Sequence, residues 1–299
     1  VNLLIKTDTN FNLLNSHITT LIKKDIYLNR IIEKCPTCES KHYIKYGFFN
    51  GVQRYKCKEC GKTFTNATNS LWSYSKKEST KWIKFTEYVL ERKSLRFCAE
   101  KLGISLVTAF YWRHKVLHGL NYDSVPDKLS GDVHIAKKLI PENFKGSKNI
   151  TIAVRHNIWV VAAKDCEDSI IVKPISRCHW HLPSFNKKIY YLIEEKAYIV
   201  PYGDRYIFLV AKAHNKKHKK EVQNDKIIWS FQIILEKWLK KYHGVASKYL
   251  EKYLALFILY ITKKEINCME IFKKLSFEDK FIKIVDIGRF NTQSISILL

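Results

Sequence analysis

The spacing of apolar positions changes several times along the chain, and each change marks a separate part. Residues 1–33 carry Leu13, Leu14, Ile18, Leu21 and Ile22 at intervals that predict a short helical lead-in. From 34 to 67 the pattern shortens into alternating stretches dense in cysteine, glycine and aromatic residues, which predicts strands. Between 76 and 120 the spacing becomes helical. Residues 121–130, polar and containing Pro126, read as a linker. Short β-branched runs follow at Val133–Ile135, Ile150–Val154, Ile158–Ala163, Ile170–Val172 and Ile199–Val200, with Tyr206–Val210 a further strand candidate. Two helices are then predicted. Ile227–Tyr242 shows a one-face stripe of Ile227, Ile228, Phe231, Ile234, Leu235, Trp238 and Leu239. Ser247–Thr262 is more continuously apolar and predicts a buried helix. Residues 263–299 form a C-terminal tail without a readable period.

Strands followed by helices over 128–262 predict a mixed-sheet domain. The expected architecture is therefore multidomain, combining α+β and α/β parts: a small cysteine-rich module at 34–67, a three-helix domain at 76–120, and the larger sheet domain.

Charge narrows the class of partner. Lys and Arg number 52 against 28 acids, a net charge of +24. A field of that sign draws in polyanions, and phosphate contacts by Lys and Arg supply most non-specific affinity for nucleic acid. A merely solvated basic surface is the plainer reading, so charge alone decides nothing. The longest apolar run, Leu254–Ile261, falls between Lys252 and Lys263 and is far short of the roughly 20 residues a membrane helix needs. No basic region followed by an apolar stretch opens the chain, so a cytoplasmic location and no membrane partner are expected. Of the 8 cysteines, four form two close pairs, which points to metal binding in a reducing compartment.

Those pairs are Cys35-Pro36-Thr37-Cys38 and Cys57-Lys58-Glu59-Cys60. Zinc wants four soft ligands in a tetrahedron, and two Cys-x-x-Cys turns each offer two thiolates. Gly61 permits the tight turn after the second pair, and Phe64 is placed to pack beneath the metal. Asn50-Gly51 is a hairpin signal between the pairs. A structural zinc ribbon held by Cys35, Cys38, Cys57 and Cys60 is the reading, with metal binding driving its folding.

Ser94 to Ser105 reads as helix, tight turn, helix. Ala99 is small where two helices would cross, Gly103 suits a left-handed turn, and Ser105 can cap the next helix. That next helix, about 106–117, would lie in a major groove as a recognition helix. Ser105, Thr108, Tyr111 and Arg113 are the candidate base contacts, with Lys115 and His114 nearer phosphate. An ordinary helical hairpin is the alternative.

Taken together, Cys35–Phe64, the run Thr108-Ala109-Phe110-Tyr111-Trp112-Arg113-His114-Lys115, and the run Gly244-Val245-Ala246-Ser247-Lys248-Tyr249-Leu250 followed by Tyr253-Leu254 resemble DDE-type insertion-sequence transposases of bacteria. The resemblance covers about residues 34 to 260. It implies a zinc ribbon, a helix-turn-helix and a ribonuclease-H-like catalytic domain in that order. It also implies double-stranded DNA as partner, self-association into a homo-oligomer, and a bacterial, nucleoid-associated location. In the family, strand residues and a late helix supply acidic or amide ligands for two divalent ions, which activate the attacking oxygen and stabilise the leaving one.

The family's catalytic positions carry other residues here. Gly131 and Lys145-Gly146 match the frame of the first motif, which puts His134, Ala136 and Lys137 where acids belong. Tyr202 takes the place of the second Asp after Tyr198-Ile199-Val200-Pro201. The third motif falls on Trp229, Gln232 and Glu236. Ala136 offers no oxygen, Lys137 repels a cation, and Trp229 is bulky and apolar, whereas magnesium needs hard oxygen ligands. The expectation is a transposase-family DNA-binding protein without catalysis. The alternatives are an active transposase using Mg²⁺, and a zinc-ribbon interaction or regulatory protein.

Overall fold

The computed structural model describes residues 32–49, 52–71, 73, 75, 77, 79–122, 125–145, 155–216, 222–262, 268, 271–272, 275 and 282–288. Nearly all of the lead-in, the Asn50-Gly51 turn, Gly146, the run Ile150–Val154 and most of the C-terminal tail lie outside the described residues. The chain forms two compact units, 2–119 with 265–284 and 120–264 with 285–299.

The first unit opens with a three-stranded antiparallel sheet: β1 (Tyr43–Phe49), β2 (Val52–Cys57) and β3 (Thr63–Thr65), in that order. Alternation sends Tyr43, Tyr55 and Phe64 to one side. Tyr55 and Phe64 stack with centroids 5.6 Å apart, and Tyr43 meets both edge-on. Such aromatic contacts supply much of the apolar burial in so small a sheet.

Three helices follow: α1 (Ser79–Leu90), α2 (Leu95–Leu102) and α3 (Leu106–Tyr122). Their core is aromatic. Trp82 of α1 stacks on Trp112 of α3 at 3.8 Å, and Phe85 meets Trp112 edge-on at 5.4 Å. The boundaries are set by local chemistry. Ser94 Oγ accepts from the Phe97 amide, which satisfies one orphan donor at the start of α2. Gly103 ends α2 in the left-handed conformation, φ 58°, and the Ile104 amide bonds back to Ala99 O at 3.0 Å. Ser105 Oγ then accepts from the Thr108 amide at 3.1 Å to start α3.

The second unit is built on a mixed four-stranded sheet of β4 (Asp132–Pro141), β5 (Asn157–Lys164), β6 (Ile170–Arg177) and β7 (Tyr198–Tyr202). The order is β6-β5-β4-β7, with β4, β5 and β6 antiparallel and β7 parallel to β4. Parallel pairing needs a crossover, and α4 (Leu182–Lys188) provides it. One face buries Val133, Ile135, Val161, Ala163, Ile171 and Ile199 against Phe185 of α4 and against Ile207 and Ala211 of α5 (Arg205–His214). The other face is covered by α6 (Lys226–Trp229), α7 (Phe231–Lys240) and α8 (Leu250–Thr262). There Trp238 and Phe257 meet at 5.3 Å. The last described element is α9 (Ile284–Gly288).

Three expectations are corrected. Tyr206–Val210 is not a strand but the first half of α5. Asp204 Oδ1 accepts from the Tyr206 and Ile207 amides, and Ile207 and Ala211, four apart, face the core. The helix expected over Ile227–Tyr242 is broken at Ser230, whose hydroxyl donates to Lys226 O at 2.5 Å and diverts the backbone ladder. The stretch 121–130 is not a free linker throughout. Leu129 is fully buried and bridges in parallel to Ile193.

Candidate metal centre, helix pair and sheet cleft

The four paired cysteines converge. Each Cys-x-x-Cys turn is closed by its own backbone: Glu39 N donates to Cys35 O and Gly61 N to Cys57 O, at 2.9 and 3.1 Å. Gly61 adopts φ 69°, which a side chain would oppose. All four sulfurs lie within 4.8 Å of one another, with Cys35 to Cys60 at 3.6 Å and Cys38 to Cys57 at 3.5 Å. Zinc–sulfur bonds of about 2.3 Å put the sulfurs of a tetrahedron about 3.8 Å apart, so the set fits zinc. All eight cysteines are free thiols. Burial pushes the Cys35 thiol up, but amides of Cys38 and Thr37 donate to its sulfur and bring it down to about 7. The Cys60 amide does most to lower Cys57. Cys38, despite help from the Ser40 amide, is pushed up to about 12 by desolvation and its neighbouring thiols. Cys35 and Cys57 are thus biased toward the thiolate that binds metal. Phe64 packs on Cys35 and Cys57, as its position in sequence implied.

In the helix pair the candidate contacts separate into two groups. Ser105 is exposed, and Thr108 and Tyr111 are half-buried on the first two turns of α3, beside exposed Leu106 and Val107. Arg113 and Lys115 do not stand on that surface; they are 5% and 7% exposed. From Trp112 to Leu117 every residue of α3 is buried, and the exposed residues of the helix, Leu106 and Val107, stand in its first turn. Arg113 lies one turn beyond buried Ala109 and donates through Nη2 to Lys93 O at 2.5 Å, tying α3 to the turn before α2. Lys115 Nζ lies 3.5 Å from Ser73 O and 5.9 Å from the Trp82 ring. Burial lowers its pKa to about 8.

In the second unit the register sets Ala136 of β4 beside Tyr202 of β7, so those two family positions do meet. Around them is a polar network. The Tyr202 hydroxyl lies 3.0 Å from His134 Nδ1 and 3.3 Å from Asn224 Oδ1, and accepts from the Asp225 amide at 3.1 Å. Lys164, paired with His134 across β4 and β5, places Nζ 2.7 Å from Asp225 and 2.7 Å from Asp168. Burial pushes the Asp225 carboxyl up, but the Lys164 ammonium, the Ile228 amide and His134 outweigh it and hold it below its ordinary value. Burial likewise opposes charge on Lys164, and the two carboxylates reverse that and raise it. Desolvation raises the Tyr202 phenol.

The remaining family positions are occupied or turned away. Lys137 pairs with Asp204 and lies 3.7 Å over the Trp159 ring. Glu236 pairs with Lys138 at 2.9 Å and Lys240 at 3.1 Å. Trp229 is 71% exposed, and Gln232 is exposed on α7. A magnesium pair needs several carboxylate or carbonyl oxygens. The place where β4 and β7 meet offers a methyl group, a phenol, an imidazole, the Asn224 amide oxygen, and two carboxylates, Asp225 and Asp168, both already joined to the Lys164 ammonium. That donor set does not fit. Among the described residues, the four cysteines are the one group of three or more His, Cys, Asp or Glu whose ligand atoms lie that close together.

Asp225 and Lys164 were not singled out from sequence. A polar pair before an apolar stripe, Asn224-Asp225, is the signal of a helix cap; Asp225 Oδ1 accepts from the Ile228 amide at 2.8 Å.

The structure thus defines a mixed α/β protein with a four-cysteine cluster suited to zinc near its N-terminus. Over 113 residues the chain is 28% identical to a protein described as an uncharacterized protein in transposable element ISH50 of Halobacterium salinarum. The match spans 38% of this chain and 38% of that relative's length. No protein-family model and no solved structure matches the chain.

Proposed function

We propose that the chain is a transposase-related, duplex-DNA-binding protein whose sheet domain no longer carries out phosphodiester chemistry. The observation that carries the reading is the helix pair. α2 and α3 are joined by a left-handed glycine and a capping serine, and the exposed residues of α3, Leu106 and Val107, stand in its first turn. An element of that shape enters a major groove by its N-terminal end. Similarity to an insertion-element protein and the net charge of +24 support the same class of partner. The sheet order, with three antiparallel strands and a fourth parallel to the first, suits a ribonuclease-H-like domain. On that scaffold the catalytic acids would stand near Ala136, Tyr202 and α7, where the ammonium and phenol of the network now stand. Zinc at the four cysteines would hold the N-terminal module folded.

The test is a mobility-shift series of the zinc-loaded full chain on duplex DNA at rising salt, with a Thr108→Ala/Tyr111→Ala variant beside it. Affinity falls steeply with salt and drops in the variant. Binding that is absent, or indifferent to salt, contradicts the reading.

A further inference from the structure

The outside of α3 opens on side chains that carry no charge. Leu106 is 48% exposed and Val107 63% exposed, both in the first turn of the helix. One turn on, at Phe110 and Tyr111, two half-buried rings meet edge-on with centroids 5.5 Å apart. At 3.6 residues per turn these four positions fill a sector of about 140°, opposite Ala109, Trp112 and Val116, which face the core. They form one apolar strip. A contiguous strip, unlike apolar residues scattered singly, marks a surface that another molecule covers.

The chemistry of this strip limits what it can read in a major groove. Paired hydrogen bonds to guanine come from Arg or Lys, to adenine from Asn or Gln, and to cytosine from Asp or Glu. Residues 105–111 contain none of these six types. Arg113 and Lys115, the next cations along the helix, are enclosed by the fold. The hydroxyls of Ser105 and Thr108 lie 2.9 Å apart, and the Ser105 oxygen also accepts from the Thr108 amide, so both are partly spent on the cap. What remains is hydrocarbon and one phenol, that of Tyr111. On a base-pair edge in the major groove, the one apolar group is the 5-methyl of thymine.

Cations frame the strip. Residues 92–111 carry Arg92, Lys93, Arg96 and Lys101 against a single acid, Glu100. Lys101 is exposed in the last turn of α2, two residues before the left-handed Gly103, and Lys93 and Arg96 are exposed as well. An apolar centre with a positive border matches a duplex, where base edges line a groove between two rows of phosphate. A second copy of this chain would bring the same cations to the same border, and like charge opposes that pairing. We infer that Leu106 and Val107 pack on thymine methyls, so that the site selected by α3 is rich in A·T pairs. This inference rests on the proposed duplex-DNA function and adds to it the base pair that is read and the residues that read it. Against thymine the two side chains gain apolar burial; against G·C they meet only polar edges, which they desolvate.

The experiment selects duplexes from a random-sequence library with the zinc-loaded full chain, then resynthesises the selected duplex with deoxyuridine in place of thymidine. That exchange deletes the methyls and keeps every hydrogen-bonding group in both grooves. Each buried methyl is worth about fourfold in affinity, so loss of two is expected to weaken binding roughly tenfold or more. Leu106→Ala/Val107→Ala is expected to bind the thymidine duplex about as weakly as the parent binds the deoxyuridine one, and to bind both duplexes alike. Equal melting temperature and zinc content show that the variant is folded. Selected sites poor in thymine, or equal parental affinity for the two duplexes, overturn the inference while the duplex-binding function stands. A variant that keeps the thymidine preference but loses self-association shows that the strip joins copies of the chain, and overturns it too. Duplex binding that is absent altogether overturns the proposed function and this inference together.

Discussion

His134 on β4 and Tyr202 on β7 stand side by side, imidazole Nδ1 3.0 Å from the phenol oxygen. The Tyr202 hydroxyl also receives the Asp225 amide at the start of α6, so one oxygen ties two parallel strands to the helix above them. Tyr202→Phe keeps the ring and removes that oxygen. It leaves a half-buried amide and an imidazole nitrogen without this partner, which costs about 1–3 kcal/mol. Urea unfolding measures the loss; a midpoint equal to that of the parent would mean that the network is not structural.

The Lys164–Asp225 pair has its own dependence on pH. Asp225 is depressed in the folded state, so its contribution is full above the unfolded value of about 3.9 and is lost as pH falls through the folded value. Lys164 is raised, so its contribution is full below about 10.4 and is lost as pH rises through the folded value. The pair stabilises throughout the range between. Asp225→Asn is expected to lower stability in that range by on the order of 2–4 kcal/mol, because it leaves a buried ammonium with only the exposed Asp168. The difference between variant and parent should shrink toward low pH. A constant difference across the acid limb contradicts the assignment.

In α3, Arg113 and Lys115 act within the fold. Arg113→Ala abandons the Lys93 carbonyl and is expected to cost about 1–3 kcal/mol. Lys115, lowered to about 8, has the opposite sign to an ion-paired lysine. The unfolded chain binds more protons between about pH 8 and 10.4, so stability rises with pH across that window, and Lys252, also at about 8, adds to it. Lys115→Met is expected to reduce that rise and to raise stability at pH 7. Melting temperatures at several pH values decide the matter; an unchanged slope in Lys115→Met contradicts it.

The cysteine cluster predicts one zinc per chain by elemental analysis of the described site. Cys57→Ser removes a buried ligand and is expected to abolish stoichiometric zinc and the folded signal of the small sheet together. A strong chelator should do the same to the parent. Retention of zinc by Cys57→Ser would place the metal elsewhere.

Local chemistry was largely legible in the sequence. The cysteine spacing, the left-handed Gly103 and the Ser105 cap need only neighbouring residues to be understood, and the structure has each of them. Strand runs at Ile158–Ala163 and Ile199–Val200 lie inside β5 and β7. What sequence did not show was set by tertiary packing. Arg113 and Lys115 look like surface cations until Trp82, Trp112 and the turn at Lys93 enclose them. Tyr206–Val210 looks like a strand because it is a short run of aromatic and branched apolar residues, although Asp204, two positions ahead, caps a helix. The Asp225–Lys164 pair joins residues 61 apart, and no local pattern announces it.

The central claim, a scaffold that holds a duplex without cutting it, is tested most directly by one incubation. The zinc-loaded full chain is mixed with Mn²⁺ and supercoiled plasmid carrying the DNA that flanks its own coding sequence, and the products are resolved on a gel. The account predicts plasmid that is retarded by the protein yet remains supercoiled once the protein is removed. Nicked, linear or joined DNA, appearing in proportion to protein and requiring Mn²⁺, would contradict it.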